Sequence, residues 1–270
     1  MNWTGERLQT FIYNRDAIEH LHRYAITTPY VVNKDVLDIA CGEGYGSNLI
    51  SKYANQVYGV DIDSTTIDLA EKKYKKDNLL FKTGSTDAIP LKENSIDVVI
   101  SFETIEHHDK HEKMFDEIKR VLKKDGILII STPDKKYYSD TRNFKNQFHV
   151  KELYRFEFLN LISNKFSQYQ LLNQEYLGST SVINEINLNE KSIIYGGNYN
   201  NISILKVHPL YMVAICSDYK FDNMKDSIFD GTIICQEELN NHTNKVHKSI
   251  TFRVGSFFLY PLRLIKRLVK

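Results

Sequence analysis

Apolar residues along this chain follow two periods. Short unbroken runs at 36–39, 56–61, 79–82, 96–101 and 126–131 read as buried strands, because each is brief and bounded by polar or turn residues. Between them the spacing shifts to that of helices. Residues 14–27 place Ile18, Leu21 and Ala25 on one stripe, with His20, Arg23 and Tyr24 on neighbouring faces. Residues 45–54 form a second helix, and Ser64 is placed to cap a third that runs to about Lys76. Residues 112–122 put Phe115, Ile118, Val121 and Leu122 on one side of a fourth. Strands alternating with helices imply a parallel α/β architecture with helices on both faces of the sheet.

The first strand runs into VLDIACGEGYG at 36–46, where Gly42 and Gly44 let the backbone turn and approach a ligand with no Cβ in the way. The second strand ends in VDID, so Asp61 lies about twenty residues further on at a strand tip, positioned to accept hydrogen bonds from a ribose diol. Such an acid disfavours a 2′-phosphate. A nicotinamide-binding loop would place a third glycine at position 47, which is Ser47, and has no use for Asp38 ahead of the glycines. A nucleotide-like cofactor other than a dinucleotide is the expected occupant.

Asp38, Ala40, Gly42 and Gly44 resemble the D-x-G-x-G-x-G loop of class I S-adenosylmethionine (SAM)-dependent methyltransferases of the methyltransferase-11 type, with Ala40 in place of the first glycine. The likeness continues through Asp61, through 84–101, through SFETIEHH at 101–108 and through 117–133, roughly the first two-thirds of the chain. It implies a Rossmann-like sheet of seven strands in the order 3-2-1-4-5-7-6, whose reversed last pair falls at about 168–176 and 210–216. It also implies SAM as cofactor, held by Asp38, Ala40, Cys41, Gly42, Gly44, Asp61, Ile62, Ser85, Thr86, Ser101, Phe102 and Glu103. On this reading residues 1–30 are a helical cap and 31–216 the SAM-binding domain, with an Asn-rich inserted loop near 178–207. Residues 217–270 are a helical extension with a basic amphipathic tail.

Methyl transfer from a sulfonium needs alignment and exclusion of water, and an alcohol acceptor must also lose a proton to a base or to a metal-bound site. Glu103, Glu106 and His107 form E-x-x-E-H after the fourth strand, and His149 follows the fifth. This resembles the metal site of small-RNA 3′-terminal 2′-O-methyltransferases and the related motif of ubiquinone-pathway O-methyltransferases. Four such ligands suit Mg²⁺ or Mn²⁺. The competing expectation has Glu103 on the cofactor amino group and Glu106 as a helix cap, leaving His107 as base. His108 and His111 are expected in solvent, and His22 on the far side of its helix.

The segments GER at 5–7, HLHRY at 20–24 and 146–158 look like a bacterial subgroup associated with surface-polysaccharide and sugar methylation. That likeness implies an O-methyltransferase acting on a sugar, glycan or sugar-phosphate; Arg7, His20 and Arg23 either offer donors to acceptor oxygens, which Arg forks match, or only clip the N-terminal helix over the cofactor. An RNA or quinone O-methyltransferase and a catalytically silent SAM-binding subunit remain the alternatives.

A balance of 35 basic and 34 acidic residues gives a net charge of +1, which supplies no global footprint for nucleic acid, so DNA is not an expected partner. No run is long enough to span a bilayer and the N-terminus lacks an apolar signal, so the expected location is cytoplasmic. Three cysteines, Cys41, Cys216 and Cys235, odd in number and without metal-type spacing, argue against a disulfide framework. The final fifteen residues interleave leucines and isoleucine with Arg263, Lys266, Arg267 and Lys270. This tail either packs on its own domain or lies on the inner, anionic face of a membrane.

Overall fold

The computed structural model describes residues 7–185 and 193–268, with the side chains described through residue 259. Its centre is a nine-stranded sheet. The strands are β1 (Asp35–Ile39), β2 (Gln56–Asp61), β3 (Leu79–Thr83), β4 (Ile96–Phe102), β5 (Leu122–Pro133), β6 (Gln168–Leu177), β7 (Thr180–Glu185), β10 (Tyr211–Ser217) and β11 (Ser227–Asp230). A separate hairpin, β8 (Tyr195–Asn198) with β9 (Asn201–Ile204), lies outside it. The order is 3-2-1-4-5-10-6-7-11. Strands β1 to β5 pair in parallel, and β10 runs antiparallel between β5 and β6.

The Rossmann-like methyltransferase core expected from the sequence is therefore present, including the reversed pair near 168–176 and 210–216. The sheet is larger than the seven strands expected. Thr180–Glu185, inside what reads as an inserted loop, instead continues the sheet as β7, and Ser227–Asp230 adds β11 to its edge. Burial alternates along both, but one of the two buried positions of β7 is Ser181 and no residue of β11 is fully buried, so the apolar pattern of the sequence does not disclose them. Part of the Asn-rich stretch, residues 186–192, lies outside the described residues.

Among the described residues the α-helices are α1 (Arg15–Val31), α2 (Tyr45–Ile50), α3 (Ser64–Lys73), α4 (His111–Val121), α5 (Arg155–Ser163), α6 (Thr232–Lys248) and α7 (Ile250–Leu268). Helix α3 is capped by Asp63 rather than Ser64: the Asp63 carboxylate accepts from the Thr65 and Thr66 amides, and the helix stops at Lys73. His111 is buried rather than solvated, because it forms the first turn of α4 and its Nε2 meets the His108 carbonyl at 2.7 Å.

Alternation along β1 sets the two layers of the core. Leu37 and Ile39 join Phe115, Ile118 and Phe158 on the side of α4 and α5. Val36 joins Tyr24, Ile67 and Ala70 on the other. Asp38 shares the face of Val36, so its carboxylate is driven into the α1 side of the core. Among the described residues no helix is long and apolar enough to cross a membrane.

Gly44 sits between β1 and α2 with φ at 82°, and a Cβ there would lie 2.6 Å from the Phe81 ring. Gly178, in the β6–β7 turn, also has positive φ (62°) but nothing within 4 Å of a Cβ. Gly178→Ala should therefore cost only the left-handed strain, about 1 to 2 kcal/mol. Gly44→Ala adds a steric penalty, about 1 to 3 kcal/mol more. Urea unfolding of the two variants measures the difference, and equal losses would show that Phe81 yields freely.

Candidate active site

The carboxyl ends of β1, β2 and β4 open into one cavity of about 450 Å³. Its walls come from the 40–43 loop, Asp61 and Ile62, the 84–87 turn, the 102–108 segment after β4, and Tyr138, Asn146, Phe148 and His149 after β5. Arg7, Leu8 and Ile12 cross its mouth. This is where ligands bind in open parallel sheets, since the loops there diverge and leave a crevice.

At one end stands Asp61, 3% exposed, at the tip of β2. Its carboxylate accepts from the Gly42 amide at 2.9 Å, the Asp63 amide at 3.0 Å and the Arg7 guanidinium at 3.1 Å. Arg7 also pairs with Asp63 at 3.1 Å. Behind it, Thr10 and Lys73 both hydrogen-bond Glu43, so the segment carrying Arg7 is latched across the loop. Two residues in the site adopt left-handed backbone without being glycine: Ala40 at φ 61° and Glu103 at φ 50°. Each costs of order 1 to 3 kcal/mol and is held by its surroundings, a pattern found where a ligand must be approached.

Asp38 does not line the cavity. It is 1% exposed beneath the loop and accepts from Ser47 Oγ at 2.6 Å and from Tyr24 Oη at 3.2 Å. Burial raises its pKa to about 6 against the help of those two hydroxyls. Gly44 and Ser101 also lie outside the cavity lining, whereas Ala40, Cys41, Gly42, Asp61, Ile62, Ser85, Thr86, Phe102 and Glu103 form it. Ser85 and Thr86 spend their hydroxyls locally, on Asp87 at 2.6 Å and His108 at 3.2 Å.

Arg7 and His20 line the cavity, and His20 Nδ1 lies 2.9 Å from Tyr45 Oη. Burial and the nearby Arg23 charge hold the His20 pKa well below the usual imidazole range. Arg23 is 1% exposed and outside the lining. It donates to Gln174 at 2.5 Å, lies 3.9 Å from Glu103 and rests on the Tyr211 ring. Its guanidinium is thus engaged with protein rather than presented to an acceptor. His22 faces away, between Ser181 and Ser227.

At the other end, Glu106, His107 and His149 bring ligand-type atoms within 4.8 Å of one another. The backbone creates this meeting: the Val150 and Lys151 amides both donate to the Glu106 carbonyl, at 2.8 and 3.0 Å, tying the loop after β5 to the turn after β4. His149 Nδ1 lies 2.6 Å from the Glu152 carboxylate, which Ser139 also bonds. Burial raises the Glu152 pKa, but those two hydrogen bonds outweigh it and hold the group below the usual range. The Nε2 of the same ring meets the Asn146 amide at 3.0 Å, and Tyr138 stacks on it. His107 Nδ1 donates to the Phe148 carbonyl at 3.0 Å.

Glu106 caps no helix. It is fully buried, with Oε2 receiving Thr132 at 3.1 Å and Oε1 without a hydrogen-bond partner. Burial first, then the Glu103 charge, pushes its pKa well above the carboxylate range. Glu103 stands apart from this group because Ser131 holds its Oε1 at 2.7 Å, on the side of Arg23.

Sequence reasoning missed Tyr138, Asn146, Phe148 and Tyr211 as cavity residues. The first three lie in the long segment after β5, whose position at a strand's carboxyl end was the available signal. Tyr211 opens β10 and carried none.

Residues 37–130, the segment that carries the glycine loop and most of the strand tips around the cavity, match the family described as "Methyltransferase domain". The chain is 33% identical over 166 residues to the "Probable S-adenosylmethionine-dependent methyltransferase Rv3030" of Mycobacterium tuberculosis, covering 59% of this chain and 58% of that protein. It is 29% identical over 118 residues to the "Phthiotriol/phenolphthiotriol dimycocerosates methyltransferase 1" of Mycobacterium ulcerans, covering 43% of each. The chain thus spans about three-fifths or less of these relatives. Among solved structures, a SAM-dependent methyltransferase of Aquifex aeolicus superposes with a TM-score of 0.51 at 16% identity, covering 76% of this chain and 93% of that one. One from Thermotoga maritima gives 0.54 at 17%, covering 75% and 92%. At these identities the likeness establishes the fold.

Asp38 makes stability depend on pH with a definite sign. Its folded pKa, about 6, lies above the ordinary 3.8, so its contribution favours the folded state fully below about pH 4 and is lost as pH rises through 6. That interval corresponds to on the order of 3 kcal/mol. Asp38→Asn should remove this dependence, so that wild type loses stability relative to the variant between pH 4 and pH 7.5 in parallel urea titrations. A constant difference across that range would show that Asp38 titrates normally.

Proposed function

We propose that this chain is a SAM-dependent O-methyltransferase whose acceptor is a hydroxyl on a sugar, glycan or sugar-phosphate of a bacterial surface-polysaccharide pathway. The observation that carries methyl transfer to oxygen is the His149–Glu152 pair at the end of the cavity away from Asp61. A carboxylate on Nδ1 fixes the imidazole tautomer and leaves Nε2 as the basic nitrogen; it accepts from the Asn146 amide here, and an acceptor hydroxyl that displaced that amide could give it a proton.

SAM supplies the electrophilic methyl and a neutral thioether leaving group. Asp61 would accept from its ribose hydroxyls, in place of or beside Arg7, and the 40–43 loop would follow its methionine portion. His149 would remove the acceptor proton as oxygen bonds to the methyl carbon, and Tyr138, Phe148 and the segment crossing the mouth would keep water out. The sugar acceptor rests on the subgroup likeness of 5–7, 20–24 and 146–158; of the three donors named there Arg7 and His20 line the cavity, and Arg7 would reach acceptor oxygens only by leaving Asp61 and Asp63. Arg23 would act from beneath, by holding Glu103.

A second reading is favoured by Glu106, a buried carboxylate with an unpartnered oxygen beside two imidazoles. Both rings are oriented from Nδ1 by a carbonyl or carboxylate, as metal-ligating histidines usually are. Glu106, His107 and His149 would hold Mg²⁺ or Mn²⁺, with Glu103 excluded from the set by its own partners. Such an ion would stabilise alkoxide character on the acceptor.

Calorimetry should detect SAM binding, and Asp61→Ala should weaken it by roughly ten- to a hundredfold, the worth of hydrogen bonds to a charged acceptor. Unchanged affinity in a folded Asp61→Ala protein removes the cofactor assignment. For the acceptor, label from SAM should pass to nucleotide sugars or cell glycans rather than to RNA or lipid extracts.

With a labelled acceptor in hand, His149→Ala should lower kcat by about 10²-fold or more while sparing SAM affinity, the scale of lost general-base catalysis. Retention of turnover after EDTA treatment supports His149 as base. Loss restored by Mn²⁺, together with Mn²⁺ binding that disappears in Glu106→Gln, supports the metal.

A further inference from the structure

The two C-terminal helices leave the sheet with their apolar side chains uncovered. From Thr232 to Leu259 no residue is buried, and α7 lies against α6 rather than against the core. Phe257 and Phe258 are 76% and 71% exposed, and Ile250 is 79% exposed. His247, Phe252 and Val254 line an open apolar groove with these residues.

At about 100° per residue along a helix, positions 250, 254, 257 and 258 fall on one stripe that contains no charged residue. Arg253 falls off that stripe, and the sequence that follows adds Arg263, Lys266, Arg267 and Lys270. Charge is one-sided in sign as well. Residues 241–270 contain seven lysines and arginines and no aspartate or glutamate, in a chain whose total charge is only +1. The cations are therefore concentrated here, and residues 1–240 carry an excess of acids.

We infer that α7, with the end of α6, is a docking surface for an anionic lipid bilayer, independent of which acceptor the cavity takes. Large apolar and aromatic residues backed by cations of one sign suit the interface of such a bilayer, where rings enter the acyl boundary and lysines and arginines reach lipid phosphates. Because no described helix is long and apolar enough to cross, the contact is along the surface. Residues 241–270 also hold no carboxylate that lipid phosphates would repel.

The test is sedimentation of the full chain with vesicles of phosphatidylcholine containing one-third phosphatidylglycerol, against vesicles of phosphatidylcholine alone. Binding to the anionic vesicles should exceed binding to the neutral ones at least tenfold and fall steeply as salt rises. Phe257→Asp with Phe258→Asp should abolish it, and Arg263→Glu with Lys266→Glu should reduce it at least tenfold, each with an unchanged melting temperature and unchanged SAM binding. Equal binding to both vesicle types, no binding, or binding insensitive to all four substitutions overturns the proposal. So does a dimer in analytical ultracentrifugation that the phenylalanine substitutions dissolve, which would assign the face to a second copy of the chain.

Discussion

A single buried guanidinium organises this molecule. Arg23 carries a full charge at 1% exposure, a placement tolerable only with opposite charge and acceptors around it. It touches Gln174 of β6, the Tyr211 ring of β10 and the Glu103 carboxylate after β4, while Glu19 lies one turn earlier on the same helix. Gln174 in turn donates to the Glu19 carbonyl. Helix α1 is thereby fixed across strands distant in sequence, and every group it carries is placed with it.

Two of those groups matter for the cavity. Tyr24, one residue on, reaches under the glycine loop to Asp38, so the loop's conformation and the helix's position are one structural unit. Gly46 approaches the same ring so closely that a Cβ there would meet Tyr24 at 1.9 Å. His20, one turn back, faces the cavity itself. The buried charge also polarises its surroundings. It depresses the pKa of His20 after burial has done so, and it partly offsets the burial that raises Glu106. Charge that never meets a ligand thus shapes the groups that can.

The two ends of the cavity differ in how they are made. The Asp61 end is assembled from consecutive βα units, each contributing its strand tip, and strained residues such as Ala40 are held by the short loops on either side. The Glu106 end is assembled from the turn after β4, a long segment after β5, and β10, which returns antiparallel beside β5 from much later in the chain. Its cohesion comes from backbone bonds between loops, above all those to the Glu106 carbonyl.

That difference explains what could be read in advance. The sequence by itself determined the parallel core, its five central strands and the loop with Asp38, Gly42, Gly44 and Asp61, because strand period, glycine placement and a strand-tip acid are local signals. It also marked Glu106, His107 and His149 as chemically capable residues. Only the tertiary structure decided that Glu103 turns to Ser131 while the other three converge, that Asp38 and Arg23 act from beneath the cavity, and that Asp63 rather than Ser64 caps α3. Only it revealed the two added edge strands and Tyr211 in the wall. These are outcomes of long-range pairing and burial, where competing partners within reach settle a side chain's place, and no periodicity along the chain encodes that competition.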